Sequence, residues 1–108
     1  MKLYGIKNCD TVRKAQKFLA AQHCEVEFVD FRQQPIDDKT LQRFIDAVGI
    51  EQLVNKRSMT YRALSDEQKT QIDHTLILKN PALIKRPVLD TGDEIIVGFS
   101  EKRYLALI

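Results

Sequence analysis

One cysteine of this chain has the surroundings of a reactive thiol. Cys9 follows a short apolar segment and directly precedes a segment with helical periodicity, in the run Leu3-Tyr4-Gly5-Ile6-Lys7-Asn8-Cys9-Asp10-Thr11-Val12-Arg13-Lys14. The start of a helix offers unpaired backbone N–H groups and a partial positive charge, and both favour the thiolate, which is the reactive form of cysteine. Most free cysteines are small buried hydrophobes instead. The position of Cys9 at a strand-to-helix turn, with Lys7 and Arg13 nearby, favours a nucleophile.

The second cysteine, Cys24, lies beside His23 where a helix gives way to a strand. The predicted helix between the two cysteines has about twelve residues and spans roughly 15–18 Å, more than twice the Cα separation that a disulfide allows. We therefore expect Cys24 to be a packed structural cysteine. The two cysteines, His23 and His74 match no zinc-ligand spacing, so we expect no metal and place both histidines at the surface.

Composition indicates an ordinary globular protein. The chain has 108 residues, of which 44% are hydrophobic and 30% are charged, and its net charge is +2. Basic residues are spread along the chain, so we expect no direct contact with nucleic acid. The apolar runs are too short to span a membrane, and we expect no secretory leader before the first strand. Two cysteines without a disulfide-framework spacing predict a cytoplasmic protein.

The first third of the chain predicts a strand, a helix and a second strand. Lys2–Ile6 is the first strand, and the helix runs from Thr11 to about Gln22, capped by Asp10 or Thr11. The alternation of charged and apolar residues over Glu25–Phe31 predicts the second strand. Residues 1–31 have the length of one βαβ unit, so the two strands should be parallel with a right-handed crossover.

Residues 32–84 predict a helical insert. Asp37 or Asp38 caps its first helix, and Ser65 begins a capping box with Gln68 three residues later. The polar, non-periodic segment Asn55–Arg62 predicts a loop.

Residues 85–108 predict two strands and a helix. The strands are Pro87–Asp90 and Glu94–Phe99, and the glycine in their short connection favours a hairpin. Ser100 caps a last helix, Glu101–Leu107, for which Tyr104, Leu105 and Ile108 are expected to point inward. The whole order predicts an α/β protein with one mixed sheet and helices on both faces.

Four motifs carry a resemblance to a known family. They are Gly5–Thr11, Asn55–Ser58, Ile84–Val88 and Gly98–Glu101. In this order over the full chain they resemble the thioredoxin-like fold, and more narrowly the YffB-like branch of the arsenate-reductase-like ArsC/Spx family. The resemblance implies one ArsC/Spx-like domain over residues 1–108. It also implies a mixed four-stranded sheet in the order βαβ, helical insert, ββα.

Three residues take roles from the resemblance. Cys9 matches the family's nucleophilic cysteine. Arg86 matches an arginine that lies near that cysteine in arsenate reductases and holds the substrate oxyanion. Pro87 matches the cis-proline that faces the active site in thioredoxin-like folds.

The chain also departs from the family's patterns. Arsenate reductases have two further arginines, and here Asn55 and Gly98 occupy those positions, although Arg57 lies two residues beyond Asn55. Their histidine four residues before the cysteine is replaced by Gly5. A tetrahedral dianion needs several charge-assisted donors, which makes arsenate a poor substrate for this chain. Spx proteins often have a second cysteine where this chain has Val12.

These matches and departures imply a thiol-dependent oxidoreductase. We expect a glutathione-dependent thiol/disulfide reductase in which Cys9 attacks a small or protein disulfide, or an oxyanion, and an external thiol releases it. Arg86, Arg57 and Lys7 are the predicted ligands of the glutathione carboxylates, and backbone N–H groups from Asn8 to Thr11 would stabilise the sulfur anion. The full set of predicted substrate-binding residues is Lys7, Asn8, Asp10, Thr11, Arg57 and Pro87. Glutathione is expected as a co-substrate, with no bound cofactor, and the chain is expected to act as a monomer.

Two other functions are also compatible with the sequence. The first is a non-enzymatic adaptor that binds RNA polymerase as Spx proteins do, with the basic segment Asn55–Arg62 as its surface. The second is a true arsenate reductase with an incomplete arginine cage.

Overall fold

A mixed four-stranded sheet is formed by the two ends of the chain in the computed structural model, which describes residues 1–108. The strands, in chain order, are β1 (Lys2–Gly5), β2 (Glu27–Asp30), β3 (Val88–Asp90) and β4 (Ile95–Val97). Their order in the sheet is β2-β1-β3-β4. β1 is parallel to β2 and antiparallel to β3, and β3 is antiparallel to β4. The predicted parallel pair, hairpin and α/β class are confirmed.

Seven helices accompany this sheet. They are α1 (Asp10–Ala21), α2 (Asp38–Val48), α3 (Ile50–Leu53), α4 (Met59–Arg62), α5 (Asp66–Thr70), α6 (His74–Lys79) and α7 (Glu101–Leu107). A 3-10 turn at Pro81–Leu83 follows α6. All seven helices fall short of the length and apolar character that a membrane-spanning helix needs.

The chain forms two compact units. The first comprises Met1–Gln34 and Arg86–Ile108, and the second is Pro35–Lys85. The predicted insert, residues 32–84, thus has nearly the same bounds as the second unit. The second unit begins three residues later than the predicted insert, because the backbone N–H groups of Gln33 and Gln34 both donate to the Asp30 carbonyl, at 3.0 and 2.8 Å, and hold that turn to β2.

One face of the sheet packs against α1 and α7. Leu3, Leu89 and Ile96 are direct neighbours across β1, β3 and β4, and they share a buried cluster with Ala15 and Leu19 of α1. The spacing of the buried α1 residues is the apolar stripe that the sequence shows. This row of leucine and isoleucine residues therefore fixes α1, and with it the helix start that Cys9 precedes.

An aromatic cluster joins α7 to α1. The rings of Phe18, Phe99 and Tyr104 lie 5.2 to 6.2 Å apart in edge-to-face arrangements. Tyr104 is fully buried and its hydroxyl donates to the Gly98 carbonyl at 3.4 Å. Burial raises the pKa of Tyr104 above its ordinary value, because the phenolate would lose its hydration.

The prediction that Leu105 and Ile108 point inward is wrong. Leu105 is 50% exposed and Ile108 is 42% exposed. Leu105 is one residue beyond the buried Tyr104 and is therefore rotated about 100° away from the core. Ile108 follows the end of α7, so the helical spacing no longer applies to it.

The second unit is held together by capped helices around an apolar centre. Its buried side chains are Leu41, Phe44, Leu53, Val54, Ile77, Leu83 and Ile84. Asp37 caps α2 by accepting a bond from the Thr40 N–H at 2.8 Å, and this bond lowers the pKa of Asp37. The capping box of Ser65 and Gln68 is present at the start of α5.

The predicted loop at Asn55–Arg62 is partly wrong. Its second half forms the single-turn helix α4, because the Ser58 hydroxyl accepts a bond from the Tyr61 N–H at 3.0 Å and caps it. The strands are also shorter than predicted: Ile6, Phe31 and Phe99 lie outside them. Phe31 nevertheless keeps a ladder-like bond, from its N–H to the Gly5 carbonyl at 3.0 Å.

Candidate active site around Cys9

Cys9 is itself the N-cap residue of α1. Its backbone is extended, with φ −119° and ψ 122°, and its carbonyl accepts the first helical bond from the Arg13 N–H at 3.0 Å. The predicted cap at Asp10 or Thr11 is therefore wrong, since α1 begins at Asp10. The Cys9 side chain makes no capping hydrogen bond, and the residue is half-buried. The thiol is thus attached where the free N–H groups of the first helical turn are found.

Asp30 connects the loop before Cys9 to the end of β2. One carboxylate oxygen accepts from the Lys7 N–H at 3.1 Å, and the other accepts from the Arg32 N–H at 2.8 Å. Asp30 is the register partner of Gly5, so its side chain lies at the sheet edge where both parallel strands end. Asp30 is not among the site residues predicted from the sequence. An acidic residue at the carboxyl end of a strand predicted to be parallel to β1 is the signal that could have identified it.

Gly5 allows α1 to approach the end of β1. A Cβ atom at this position would lie 2.7 Å from Cγ2 and 3.3 Å from Cγ1 of Val12, which is fully buried. Real Cβ atoms do not tolerate the shorter distance. A histidine at this position, as in the arsenate reductases that the chain resembles, would therefore require the Val12 side chain or its helix to shift.

Arg86 and Pro87 lie at the same end of the sheet as the Cys9 loop. Val88 pairs with Tyr4 in the antiparallel register, so the two residues before Val88 extend toward the residues that follow Tyr4. The Arg86–Pro87 peptide bond is cis, as predicted. Pro87 is buried and its carbonyl accepts from the Gly98 N–H at 2.8 Å, whereas Arg86 is half-buried.

The four remaining predicted residues of the Cys9 segment are at the surface. Lys7, Asn8, Asp10 and Thr11 are all exposed. Asp10 forms an ion pair with Arg13, at 3.5 Å between the carboxylate and the guanidinium. The segment therefore exposes positive and negative side chains to solvent near the Cys9 thiol.

Asn55 and Gly98 stand where arsenate reductases have their two further arginines, and only the first position has an arginine nearby, Arg57. Arg57 belongs to the second unit, is exposed, and donates its backbone N–H to the Asn55 side chain at 3.0 Å. Its role as a substrate ligand stays a prediction. Gly98 has φ 84°, a conformation in which an arginine would be strained.

Cys24 packs as a structural residue. It is half-buried and lies against the apolar cluster of the first unit. Its sulfur is 3.8 Å from the Gln22 carbonyl. The whole of α1 separates it from Cys9.

Comparison with known proteins finds one family model, and relatives that match over most of this chain. The model of the ArsC family matches residues 4–107. An uncharacterized protein of Haemophilus influenzae is 43% identical over 108 residues, which cover 96% of this chain and 95% of that protein. The solved structure of a protein called YFFB superposes with a TM-score of 0.90 at 37% identity, covering 97% of this chain and 96% of the other. The global transcriptional regulator Spx of Streptococcus agalactiae is 26% identical over 111 residues, covering 98% of this chain and 81% of Spx.

The match spans nearly the entire chain and includes the Cys9 segment, the cis-proline segment and the insert between them. The mixed sheet of the first unit agrees with the high TM-score of the YFFB structure. The chain belongs to the ArsC family.

Proposed function

We propose that this protein is a thiol/disulfide oxidoreductase that uses Cys9 as its nucleophile and glutathione as its co-substrate. The observation that carries the proposal is the position of Cys9 as the N-cap of α1, with a side chain that makes no capping bond. The free N–H groups of the first turn and the positive end of the helix dipole stabilise a thiolate at this place.

The proposed reaction has three exchange steps. The Cys9 thiolate attacks one sulfur of a disulfide, a Cys9–sulfur bond forms, and the other sulfur leaves as a thiolate that takes up a proton. A glutathione thiolate then attacks the Cys9 sulfur, the second substrate sulfur leaves as a thiolate that takes up a proton, and glutathione is left in a mixed disulfide with Cys9. A second glutathione thiolate attacks the glutathione sulfur of this mixed disulfide and releases the Cys9 thiolate, so that one disulfide and two glutathione molecules give two thiols and one glutathione disulfide.

In this proposal an external thiol has to release Cys9 from its mixed disulfide, because Cys24 is too far away to do so. The length of α1 separates the two cysteines, and Cys24 packs against the core. Arg86, at the same end of the sheet as Cys9, is the proposed ligand for a carboxylate of glutathione. Two unpaired cysteines suit a reducing compartment, so we place this activity in the cytoplasm.

Arsenate is the weaker substrate in this proposal. Asn55 and Gly98 replace two of the three arginines of arsenate reductases, and the backbone of Gly98 does not suit an arginine. Gly5 replaces the histidine, and Val12 fills the space of any side chain there.

The similarity to Spx supports a second candidate function, a protein adaptor. The segment Asn55–Arg62 of the second unit carries three basic residues, and it contains Met59, which is 84% exposed. A basic surface with an exposed methionine suits contact with another protein, and RNA polymerase is the partner that the Spx resemblance implies.

A single set of assays separates these functions. Glutathione oxidation is followed with hydroxyethyl disulfide and, separately, with arsenate, for the wild type, Cys9→Ser and the matched control Cys24→Ser. We expect disulfide reduction by the wild type and by Cys24→Ser, and only the uncatalysed rate with Cys9→Ser. Arsenate reduction at a comparable rate would favour a true arsenate reductase. Absence of both activities in the wild type would refute the oxidoreductase and favour the adaptor.

A further inference from the structure

A cavity with both polar and apolar walls lies beside the loop that carries Cys9. Its volume is about 380 Å³, and all of its lining belongs to the first unit. The lining consists of one ammonium, one carboxylate, three primary amides and one aromatic ring, from Lys7, Asp30, Gln16, Gln33, Gln34 and Phe28. Of these side chains, only Lys7 is among the glutathione ligands predicted from the sequence.

The groups of the cavity match the two charges of an α-amino acid. The exposed Lys7 ammonium can bind a carboxylate, and the half-buried Asp30 carboxylate can bind an ammonium. Asp30 accepts two backbone bonds already, and an ionised carboxylate has about four acceptor sites, so it retains capacity for a ligand. The glutamine amides can both donate and accept, and the Phe28 ring offers an apolar surface for methylene groups.

The distance from Cys9 suits a short tethered molecule. Gln16 is seven residues beyond Cys9, nearly two helical turns, and therefore lies on the same side of α1 about 10 Å along its axis. In a mixed disulfide the two Cβ atoms are about 3.8 Å apart. A γ-glutamyl arm, close to two extended residues long, adds roughly 7 Å. The far end of such a thiol bound at Cys9 reaches the cavity.

We propose that this cavity binds the α-amino acid head group of the low-molecular-weight thiol that forms a mixed disulfide with Cys9. The inference rests on the proposed function and extends it to the selection of the thiol. Thiols with an ammonium and a carboxylate at the far end, such as γ-glutamyl thiols, are selected over simple alkyl thiols. Lys7 binds the carboxylate, Asp30 binds the ammonium, and the amides of Gln16, Gln33 and Gln34 complete the polar contacts.

The test is a binding experiment with a ligand that cannot react. S-methylglutathione is titrated into the isotope-labelled full chain, and backbone amide shifts are followed by NMR. We expect the largest shifts at Lys7, Gln16, Gln33 and Gln34. The N-glutaryl analogue, which lacks the α-ammonium, should bind about tenfold more weakly, since a charge-assisted hydrogen bond is lost.

Two lysine variants complete the test. Lys7→Gln should weaken the binding of S-methylglutathione about tenfold. The matched control Lys14→Gln should leave it unchanged, because Lys14 is an exposed lysine on a different side of α1 from Gln16. Equal affinity for the two ligands, equal effects of the two variants, or shifts confined to other parts of the chain would overturn the proposal.

The outcome is independent of the chemistry at Cys9, because S-methylglutathione has no free thiol. Binding in the cavity without disulfide reduction would refute the proposed function and support the cavity as an amino acid site. Disulfide reduction without binding in the cavity would refute the cavity alone.

Discussion

The contact between Gly5 and Val12 gives a prediction whose size follows from the structure. In Gly5→Ala the new Cβ meets Val12 Cγ2 at 2.7 Å, and Val12 is fully buried and stiff at its β-branch. Overpacking of this kind costs about 1–3 kcal/mol. Loss of backbone freedom in the unfolded chain offsets about 0.4–1 kcal/mol of this. We expect a net destabilisation of about 1–2 kcal/mol.

A double-mutant cycle isolates the contact. Val12→Ala removes both Cγ atoms, and the next neighbour of the new Cβ is Phe28 Cε1 at an ordinary 3.6 Å. In the Val12→Ala background, Gly5→Ala should therefore be neutral or stabilise by up to about 1 kcal/mol. The coupling energy between the two positions should be about 2 kcal/mol.

Urea unfolding of the four proteins measures this cycle, with the midpoint and slope of each transition compared. The same cost of Gly5→Ala in both backgrounds would show that Val12 is not the obstacle. A stabilising Gly5→Ala in the otherwise wild-type chain would refute the close approach of α1 to β1.

Three further predictions concern a buried tyrosine, a helix cap and the loop before Cys9. Burial raises the pKa of Tyr104, whereas a tyrosine in the unfolded chain ionises near pH 10. The free energy of unfolding should therefore fall as the pH rises above about 10. Tyr104→Phe should reduce this fall, measured as urea midpoints between about pH 9 and 11. An equal alkaline slope in both proteins would contradict this. Ser65→Ala should destabilise the protein by about 1 kcal/mol, because the bond that the Ser65 hydroxyl accepts from the Gln68 N–H is lost. An unchanged urea midpoint would show that α5 does not depend on its cap. Asp30→Asn replaces one acceptor oxygen by a donor, so the Lys7 or the Arg32 N–H loses its partner, and alkylation of Cys9 at pH 7 should slow severalfold relative to Cys24. An unchanged ratio of the two rates would exclude a positioning role for Asp30.

Much of the fold follows from local patterns. The apolar spacing of α1, the alternation around Phe28 and the turn at Gly92 predict the parallel pair and the hairpin, since the side chains themselves indicate which face is buried. Ser65 and Ser100 predict helix starts because their hydroxyls accept backbone bonds at a fixed spacing. The cis bond before Pro87 was predicted from the resemblance alone.

The remaining features depend on contacts between distant parts of the chain or on unusual local choices. Cysteine is not a preferred capping residue, so the sequence predicts that α1 begins at Thr11, one residue after its actual start at Asp10. The single turn of α4 is too short to show an apolar period, and Ser58 defines it. Asp30 acquires its contact with Lys7 only through the register of β1 and β2, which the sequence does not specify.

The central claim is that Cys9 is the nucleophile and Cys24 is structural. Its most direct test is site-resolved mass spectrometry of the full chain after incubation with glutathione disulfide, because this reagent reports the first exchange step at each thiol. We expect a glutathione adduct on Cys9, removed by excess reduced glutathione, with Cys24 unmodified. An adduct on Cys24, or an unmodified Cys9, would contradict the account.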